Sequence, residues 1–348
     1  MEAILKKEKL GQWIATLQER AEVYAPDFVE DAWAFTKVEA GATVELDHPN
    51  TVRPAKGFVF PQREVLYRFQ LENGKAPQIT HTLPKVEPAV VFGVRPCDGR
   101  AMVRNDRVFC QGFQDPYYEA RREQVIFIGL ACAAPPSPNC FCVALGGSPH
   151  SEDGLDVLMT ELDGRYHVKG LTDRGMGIVG IGKELFQQPS AGDKNELKDA
   201  HAAALEHPQR SIAGMEHVAE ALRRNFDSPL WDKLAQACIG CGACTYLCPS
   251  CHCFDINDEV TGKSPLTGER VRTWDNCQFP DFTMHSSGHN PREDTGARLR
   301  QRILHKLLYF VENHKMQQCT GCGRCITHCP VGIDIVHVAN VMEEGARP

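Results

Sequence analysis

Two blocks of four cysteines share one spacing in the second half of this chain. The first block reads C-x2-C-x2-C-x3-C-P from Cys238 to Pro249, and the second repeats that spacing from Cys319 to Pro330. Runs of this kind hold [4Fe–4S] clusters, and the fourth cysteine of each run binds the other cluster of a pair. Two matched copies therefore predict two clusters side by side and a function in carrying electrons.

The crossing of the fourth cysteine divides the eight thiolates into two predicted ligand sets. The proline after each fourth cysteine turns the chain away, and the glycines between ligands let the backbone approach the sulfide closely. Two zinc sites are the alternative, but C-x2-C-x2-C packs three ligands more tightly than the usual pairing of zinc ligands. The first set is Cys238, Cys241, Cys244 and Cys329, and the second is Cys319, Cys322, Cys325 and Cys248.

Four cysteines in the first half of the chain form a candidate third site: Cys97, Cys132, Cys140 and Cys142. The first two follow apolar runs at 89–94 and 125–130, which we predict to be buried parallel strands. The carboxyl ends of such strands meet where ligands bind in open α/β sheets. A third [4Fe–4S] cluster, a zinc site and structural thiols all remain open from the residues alone.

Composition excludes several classes of function. The chain has 348 residues, of which 42% are apolar and 24% charged, as in soluble globular proteins of two or three domains. A net charge of −7 gives no electrostatic support for nucleic-acid binding. No apolar run approaches the roughly 20 residues that span a bilayer, and the amino terminus lacks a signal-peptide core. Sixteen cysteines then indicate a reducing, cytoplasmic location and metal ligation.

The elements that must position the cysteines predict an α+β fold. Residues 1–191 are expected to form a mixed α/β domain. It would begin with a helix at about 5–20, followed by strand-like runs that include 58–60 and 65–69. Its centre would be a strand–helix–strand unit over 89–130, in which Asp98 caps the helix. Leu155–Leu162 and Arg165–Val168 flank Asp163-Gly164, which predicts a hairpin.

The rest of the chain is predicted to be largely helical. Residues 192–227 are polar and helical and would bridge two domains. Residues 228–348 would form a helical, expanded version of the bacterial two-[4Fe–4S] ferredoxin domain, with a helix over 297–314 before the second block. For the basic residues of that helix a solvated face is favoured over a docking surface or a charge that raises cluster potential. They are Arg298, Arg300, Arg302, His305 and Lys306.

Other signals carry less weight. Cys251, Cys253 and Cys277 lie between the two blocks, and packing as small apolar groups is favoured for them over metal ligation. Gly175–Gly180 fits G-x-G-x-x-G, but the sequence after it resembles extended chain, so neither flavin nor nucleotide is predicted in this chain. No catalytic residue is predicted, because no P-loop, nucleophile elbow or zinc-protease motif occurs.

The chain resembles a known family through motifs that span about residues 58 to 335. In order these are FGVRPCDGRAM, ACAAPPSPNCFC, CPSCHCFD, RTWDNCQF, GHNPR and CTGCGRCITHCPVGIDI. They are similar to the iron–sulfur beta subunits of cytoplasmic sulfhydrogenases, which are NAD(P)-linked [NiFe] hydrogenases. The A component of anaerobic sulfite reductase is also similar, as are iron–sulfur subunits of flavin oxidoreductases coupled to heterodisulfide reductase.

The resemblance implies an electron-transfer subunit without catalytic residues of its own. It would relay single electrons between two partners. One is a flavin- and NAD(P)-binding reductase subunit, and the other is a terminal catalytic subunit of the [NiFe] hydrogenase or sirohaem sulfite reductase type, the former favoured. The four N-terminal cysteines fall on matching family positions, which favours the third [4Fe–4S] cluster. The loop between Cys132 and Cys140 is longer here than in the hydrogenase members. An enzyme with its own substrate site in the N-terminal domain is the rival hypothesis.

Overall fold

The computed structural model describes residues 1–81 and 83–345, so the last three residues of the predicted 228–348 domain lie outside the described residues. The strands form two sheets. In chain order they are β1 (Glu2–Lys6), β2 (Glu22–Val29), β3 (Ala32–Lys37), β4 (Arg63–Leu71), β5 (Gln78–His81), β6 (Ala89–Val94), β7 (Val125–Leu130), β8 (Val157–Leu162), β9 (Arg165–Gly170), β10 (Phe186–Gln187), β11 (Phe254–Lys263) and β12 (Leu266–Trp274).

The helices lie on the large sheet and around the two cysteine blocks. In chain order they are α1 (Leu10–Gln18), α2 (Pro96–Phe109), α3 (Pro116–Gln124), α4 (Asp173–Gly180), α5 (Ala191–Glu206), α6 (Val218–Arg224), α7 (Leu230–Ala235), α8 (Ala243–Tyr246), α9 (Thr295–Leu304), α10 (Phe310–His314), α11 (Arg324–Thr327) and α12 (Ile335–Glu344). A π-helical turn at His305–Tyr309 joins α9 to α10. No helix among the described residues is long and apolar enough to cross a membrane.

The large sheet supplies the edge that carries part of the site. Its order is β10-β1-β9-β8-β7-β6-β2-β3. The four adjacent strands β8, β7, β6 and β2 are parallel to one another. The two apolar runs predicted as buried parallel strands are β6 and β7, and every residue of β6 is buried. Strands covered on both faces read as continuous apolar runs, which explains why these two could be recognised.

The small sheet connects distant parts of the chain. Its order is β11-β12-β4-β5, so the β11–β12 hairpin pairs with a strand from the first quarter of the sequence. The segment between the cysteine blocks was predicted to be helical, but it contains this hairpin. Val260, Thr267 and Val271 show the reason, because they are β-branched residues and such side chains favour strands.

A second apolar core lies beneath the cysteine blocks. It is formed by α6, α7, α9, the π-helical turn and α12, with Trp231, Leu299, Leu307 and Met342 at its centre. The helix predicted over 297–314 is α9, the π-helical turn and α10 in succession. Its apolar residues at helical spacing face this core, as expected for an amphipathic helix.

The predicted bridge at 192–227 divides into two helices that pack in different places. On α5, His201 Nε2 lies 3.1 Å from Thr160 Oγ1 of β8, and Glu196 pairs with Arg165 of β9. On the other side, α6 packs against α12 in the second core. Residues 207–217 between them contain no helix. The domain boundaries at 191 and 228 stay a prediction.

Four local predictions were wrong for identifiable reasons. The first helix begins at Leu10, because residues 2–6 pair with β9 as β1. Residues 58–60 include the end of a 3-10 turn and no strand. Asp98 lies inside α2 and Arg95 is the cap. The glycine-rich segment at 175–180 belongs to α4, where a Cβ on Gly175 would be 1.8 Å from the Asp156 carbonyl oxygen. Close helix packing therefore explains that glycine.

Candidate metal centres

The first predicted ligand set surrounds one cavity. Cys238, Cys241, Cys244 and Cys329 line it together with the side chain of Arg302. Gly242 has a left-handed backbone, φ +80°, at the point where α8 begins, and Cys244 follows on that helix. A positive φ here is what lets the chain turn tightly between two ligands. The fourth cysteine, Cys329, comes from the other block, which is where the crossed ligand pattern places it.

The second predicted ligand set is the more deeply enclosed. Cys248, Cys319 and Cys322 are buried, and Cys325 follows on α11. Burial, together with the charges of Cys319, Cys248 and Cys244 and against the opposing charge of Arg302, raises the pKa of the Cys325 thiol to about 12. The cysteines of the second set are therefore close enough to interact through their charges, and Cys325 also lines the cavity of the first set.

The third candidate set also surrounds a single cavity, lined by Cys97, Cys132, Cys140 and Cys142. Cys97 lies in the first turn of α2, and Cys132 closely follows β7. Burial raises the pKa of Cys132 to about 11. Two strand ends and one loop thus bring four thiols together from separate parts of the first half of the chain. Cys322 of the second set lines the same cavity.

The second cysteine block packs directly on the loop of the third set. The backbone N–H of Phe141 donates to the Gly321 carbonyl at 2.9 Å. Gly321 has φ +72°, and a Cβ there would lie 2.5 Å from the backbone nitrogen and Cα of Cys142. Because glycine is the residue without a Cβ, it permits this contact. Asn50 Nδ2 adds a 2.9 Å hydrogen bond to the Cys322 carbonyl.

A fully buried ion pair fastens the same junction. The Arg324 guanidinium binds the Asp98 carboxylate through two nitrogens, one of them at 2.9 Å, and its Nε donates to the Thr51 carbonyl at 2.7 Å. Arg324 lies between two cysteines of the second set, and Asp98 adjoins Cys97 of the third. Sequence reasoning assigned Asp98 to a helix cap, because a partner 226 residues away leaves no local signal.

Three buried cations lie among the thiols. Lys56, Arg302 and Lys306 are each at most 5% exposed, and no carboxylate among residues 1–81 and 83–345 pairs with any of them. Lys56 Nζ donates to the Cys251 carbonyl at 2.9 Å and lies 4.1 Å from the centre of the Trp274 ring. A buried charge without a counter-ion is strongly unfavourable. Burial lowers the pKa of Lys56, whereas for Arg302 and Lys306 burial is outweighed by nearby cysteine charges, which raise the pKa of both. Arg302 and Lys306 therefore indicate negative charge in the interior.

The basic residues before the second block do not form the solvated face that the sequence favoured. Arg298, Arg302 and Lys306 are buried. Arg300 remains partly exposed and its guanidinium lies 4.2 Å from the centre of the Phe226 ring. A stripe of charges at helical spacing looks the same in a sequence whether it faces water or buried thiols, so periodicity alone could not separate the two cases.

The remaining cysteines of the second half lie beside the first two sets. Arg302 Nη1 is 3.8 Å from Cys251 Sγ, and Thr245 Oγ1 is 3.6 Å from Cys277 Sγ. Cys253 precedes β11, and its carbonyl accepts a hydrogen bond from the Asp275 N–H at 3.0 Å. None of these cysteines lines the cavity of the first or the third set.

The donors fit iron–sulfur clusters. No three His, Cys, Asp or Glu side chains in the described part of the chain are close enough to hold a single metal ion. The cysteines instead surround cavities, as a body of several iron and sulfide atoms requires, and left-handed glycines such as Gly240 lie between ligands. Thiolate donors are the ligands that such clusters select, and nearby cations suit their negative charge.

Comparisons with known proteins agree with this chemistry. A family model described as a 4Fe-4S dicluster domain matches residues 237–333. Sulfhydrogenase 2 subunit beta of Pyrococcus furiosus is 29% identical over 345 residues, an alignment that covers 98% of each chain. No solved structure shows a significant match. The chain is thus a homologue of that beta subunit with an iron–sulfur domain, which confirms the resemblance drawn from its motifs.

Proposed function

We propose that this homologue of a sulfhydrogenase beta subunit is an electron-transfer subunit that holds three [4Fe–4S] clusters in a row. Each cluster, when bound, takes up and releases single electrons. The chain supplies the thiolates, the burial and the hydrogen bonds that set the potentials. The proposed ligands are Cys238, Cys241, Cys244 and Cys329 for the first cluster, Cys319, Cys322, Cys325 and Cys248 for the second, and Cys97, Cys132, Cys140 and Cys142 for the third.

The observation that carries this proposal is that the second ligand set adjoins both of the others. Cys325 lines the cavity of the first set, and Cys322 lines the cavity of the third. The second cluster would therefore be the central member, and the first and third would be the ends. No flavin and no acid–base group of this chain is required for such a relay.

The two ends suit two different partners. Cys241 is exposed, and Ile239 near it is 66% exposed, so the first cluster would approach the surface there. The third cluster would lie at the edge of the large sheet, on the far side of the second. We propose two partners, a flavin- and NAD(P)-binding reductase subunit together with a terminal catalytic subunit. The latter would be of the hydrogenase type, because the relative belongs to a sulfhydrogenase.

Anaerobic purification of the native complex tests the choice of partner. A [NiFe] subunit in the complex is the expected result. A sirohaem subunit would instead assign the chain to a sulfite reductase, and a heterodisulfide reductase would assign it to the third related group. Any of these would leave the relay intact, and a complex without a second redox subunit would contradict it.

A substitution at the third set tests the relay itself. Cys140→Ser should reduce iron from about 12 to about 8 atoms per chain, four for each cluster. In the native complex it should also abolish NAD(P)H-driven reduction of the terminal subunit, while each partner still reacts with an artificial dye. Cys110→Ser is the matched control, since Cys110 belongs to none of the three sets. Unchanged electron transfer in Cys140→Ser would contradict the linear order.

A cavity beside the third set favours a second candidate, an enzyme with its own substrate site. It is lined by His48, Arg95, Cys132 and His201, among others. His48 Nε2 and Arg95 Nε have no hydrogen-bond partner among the described residues. Burial lowers the pKa of His48 and of His201 to about 4, so both rings are neutral near pH 7 and Arg95 is the cation. A flavin retained by the isolated subunit would support this candidate, and its absence would support the relay.

A further inference from the structure

We infer that Arg302 and Lys306 are positioning residues that raise the reduction potentials of the first two clusters, an inference that rests on the proposed function. Both are cationic side chains on consecutive turns that face the ligand cysteines, on α9 and the π-helical turn. The sequence alone favoured a solvated face for this helix over a charge that raises cluster potential.

Arg302 lies at the boundary between the first and second sets. Its side chain lines the cavity that holds the first set and Cys325 of the second. Its Nη1 is 3.5 Å from Thr245 Oγ1 and 3.8 Å from Cys251 Sγ, while its Nη2 has no hydrogen-bond partner among the described residues. A guanidinium placed in this way can donate to acceptors of either cluster.

Lys306 lies beside the second set. Its Nζ is 3.4 Å from Ser250 Oγ and 3.4 Å from Gln318 Oε1. Gln318 directly precedes Cys319, and Ser250 Oγ is 3.5 Å from Cys248 Sγ. The ammonium group is thus held between the chain segments that deliver two ligands of one cluster, and its partners are neutral.

Charge gives the direction of the effect. A cluster gains one negative charge on reduction, and a nearby cation stabilises the reduced form more than the oxidised form. In a buried site the attraction between a cation and a reduced cluster is weakly screened. The charges of both side chains should therefore act on the second cluster. Arg302 would act on the first and second clusters, Lys306 mainly on the second, and neither on the third.

Potentiometric EPR titration of the anaerobically purified complex tests the inference. Arg302→Gln should weaken reduction of the first and second clusters about tenfold, a fall of 59 mV in the midpoint potential of a one-electron couple. Lys306→Gln should lower the midpoint potential of the second cluster by a similar amount and that of the first cluster by less. Arg300→Gln is the matched control on the same helix, because Arg300 is partly exposed and stacks on Phe226. The third cluster and the control should keep their wild-type potentials.

Iron content separates failure of this inference from failure of the relay. Unchanged potentials in a fully loaded Arg302→Gln or Lys306→Gln complex would overturn the inference and leave the relay standing. Arg302→Lys should restore most of the effect, since it keeps the charge. If one of the two glutamine variants loses iron, the potentials of the other variant test the inference. Loss of iron in both variants would overturn the inference, because it would assign these cations to cluster assembly. Too few clusters in the wild type would contradict the relay itself.

Discussion

The two cysteine blocks have identical spacing but different surroundings. In the first block Cys241 is exposed, and a Cβ on Gly240 would meet the Gln278 carbonyl oxygen at 3.3 Å. In the second block Cys322 is buried, and a Cβ on Gly321 would lie 2.5 Å from the backbone of Cys142. The first block therefore has one ligand at the surface, whereas the second block packs against the N-terminal part of the chain.

This difference shows what a local motif decides and what the rest of the fold decides. The spacing of cysteines and glycines brings ligands together within each block. Burial, neighbouring charges and access to partners come from residues far away in sequence, including Asp98 and Asn50. We therefore expect the second block to depend on the whole fold and the first block to serve exchange with a partner.

The largest expected effect is the loss of the buried ion pair at the second block. Arg324→Met leaves the Asp98 carboxylate buried without its partner, which should lower the free energy of unfolding by about 3–5 kcal/mol. Arg270→Met removes an exposed pair with Asp258 and should cost about 0–1 kcal/mol. Anaerobic denaturant titration of both variants measures the difference. Equal losses would mean that the second block does not depend on its junction with the N-terminal domain.

A smaller effect is expected from adding one methyl group to corresponding glycines. Gly240→Ala and Gly321→Ala both force alanine into a left-handed backbone, at about 1–2 kcal/mol. Gly321→Ala should cost about 1–3 kcal/mol more, because its methyl group overlaps the Cys142 backbone. Iron analysis should show loss from the second and third sites in Gly321→Ala alone. Similar iron loss in both variants would remove the distinction between the blocks.

The smallest expected effect concerns the exposed block. Ile239 lines the cavity of the first set but is 66% exposed, so Ile239→Asp should place a charge near Cys241 with little change in iron content or stability. Electron exchange with the partner should slow several-fold, as for charges placed at the rim of an interface. Ile79→Asp is the matched control, since Ile79 is 63% exposed on the small sheet. Equal rates for the two variants, measured by stopped-flow reduction in the reconstituted complex, would place the exchange surface elsewhere.

Much of the chain could be predicted wherever the signal is local. The buried strands β6 and β7 were recognised from continuous apolar runs, and the helix that carries Leu299 and Leu307 from its periodicity. The convergence of Cys97 and Cys132 followed from the rule that ligands bind at the carboxyl ends of parallel strands.

The remaining features depend on contacts between distant residues. The pairing of β12 with β4 and the bond between Asp98 and Arg324 each join the first third of the chain to its last third. No periodicity or spacing within either segment encodes its partner. The burial of Lys306 was hidden for a related reason, because a charged helix face is interpreted as solvated until the thiols opposite it are known.

Iron and acid-labile sulfide in the anaerobically purified protein test the central claim most directly. Three [4Fe–4S] clusters predict about 12 iron and about 12 sulfide atoms per chain, and no stoichiometric zinc. About 8 of each would contradict the third cluster and end the proposed row at the second. Fewer than about 4 iron atoms, with zinc in their place, would contradict the electron-transfer function altogether.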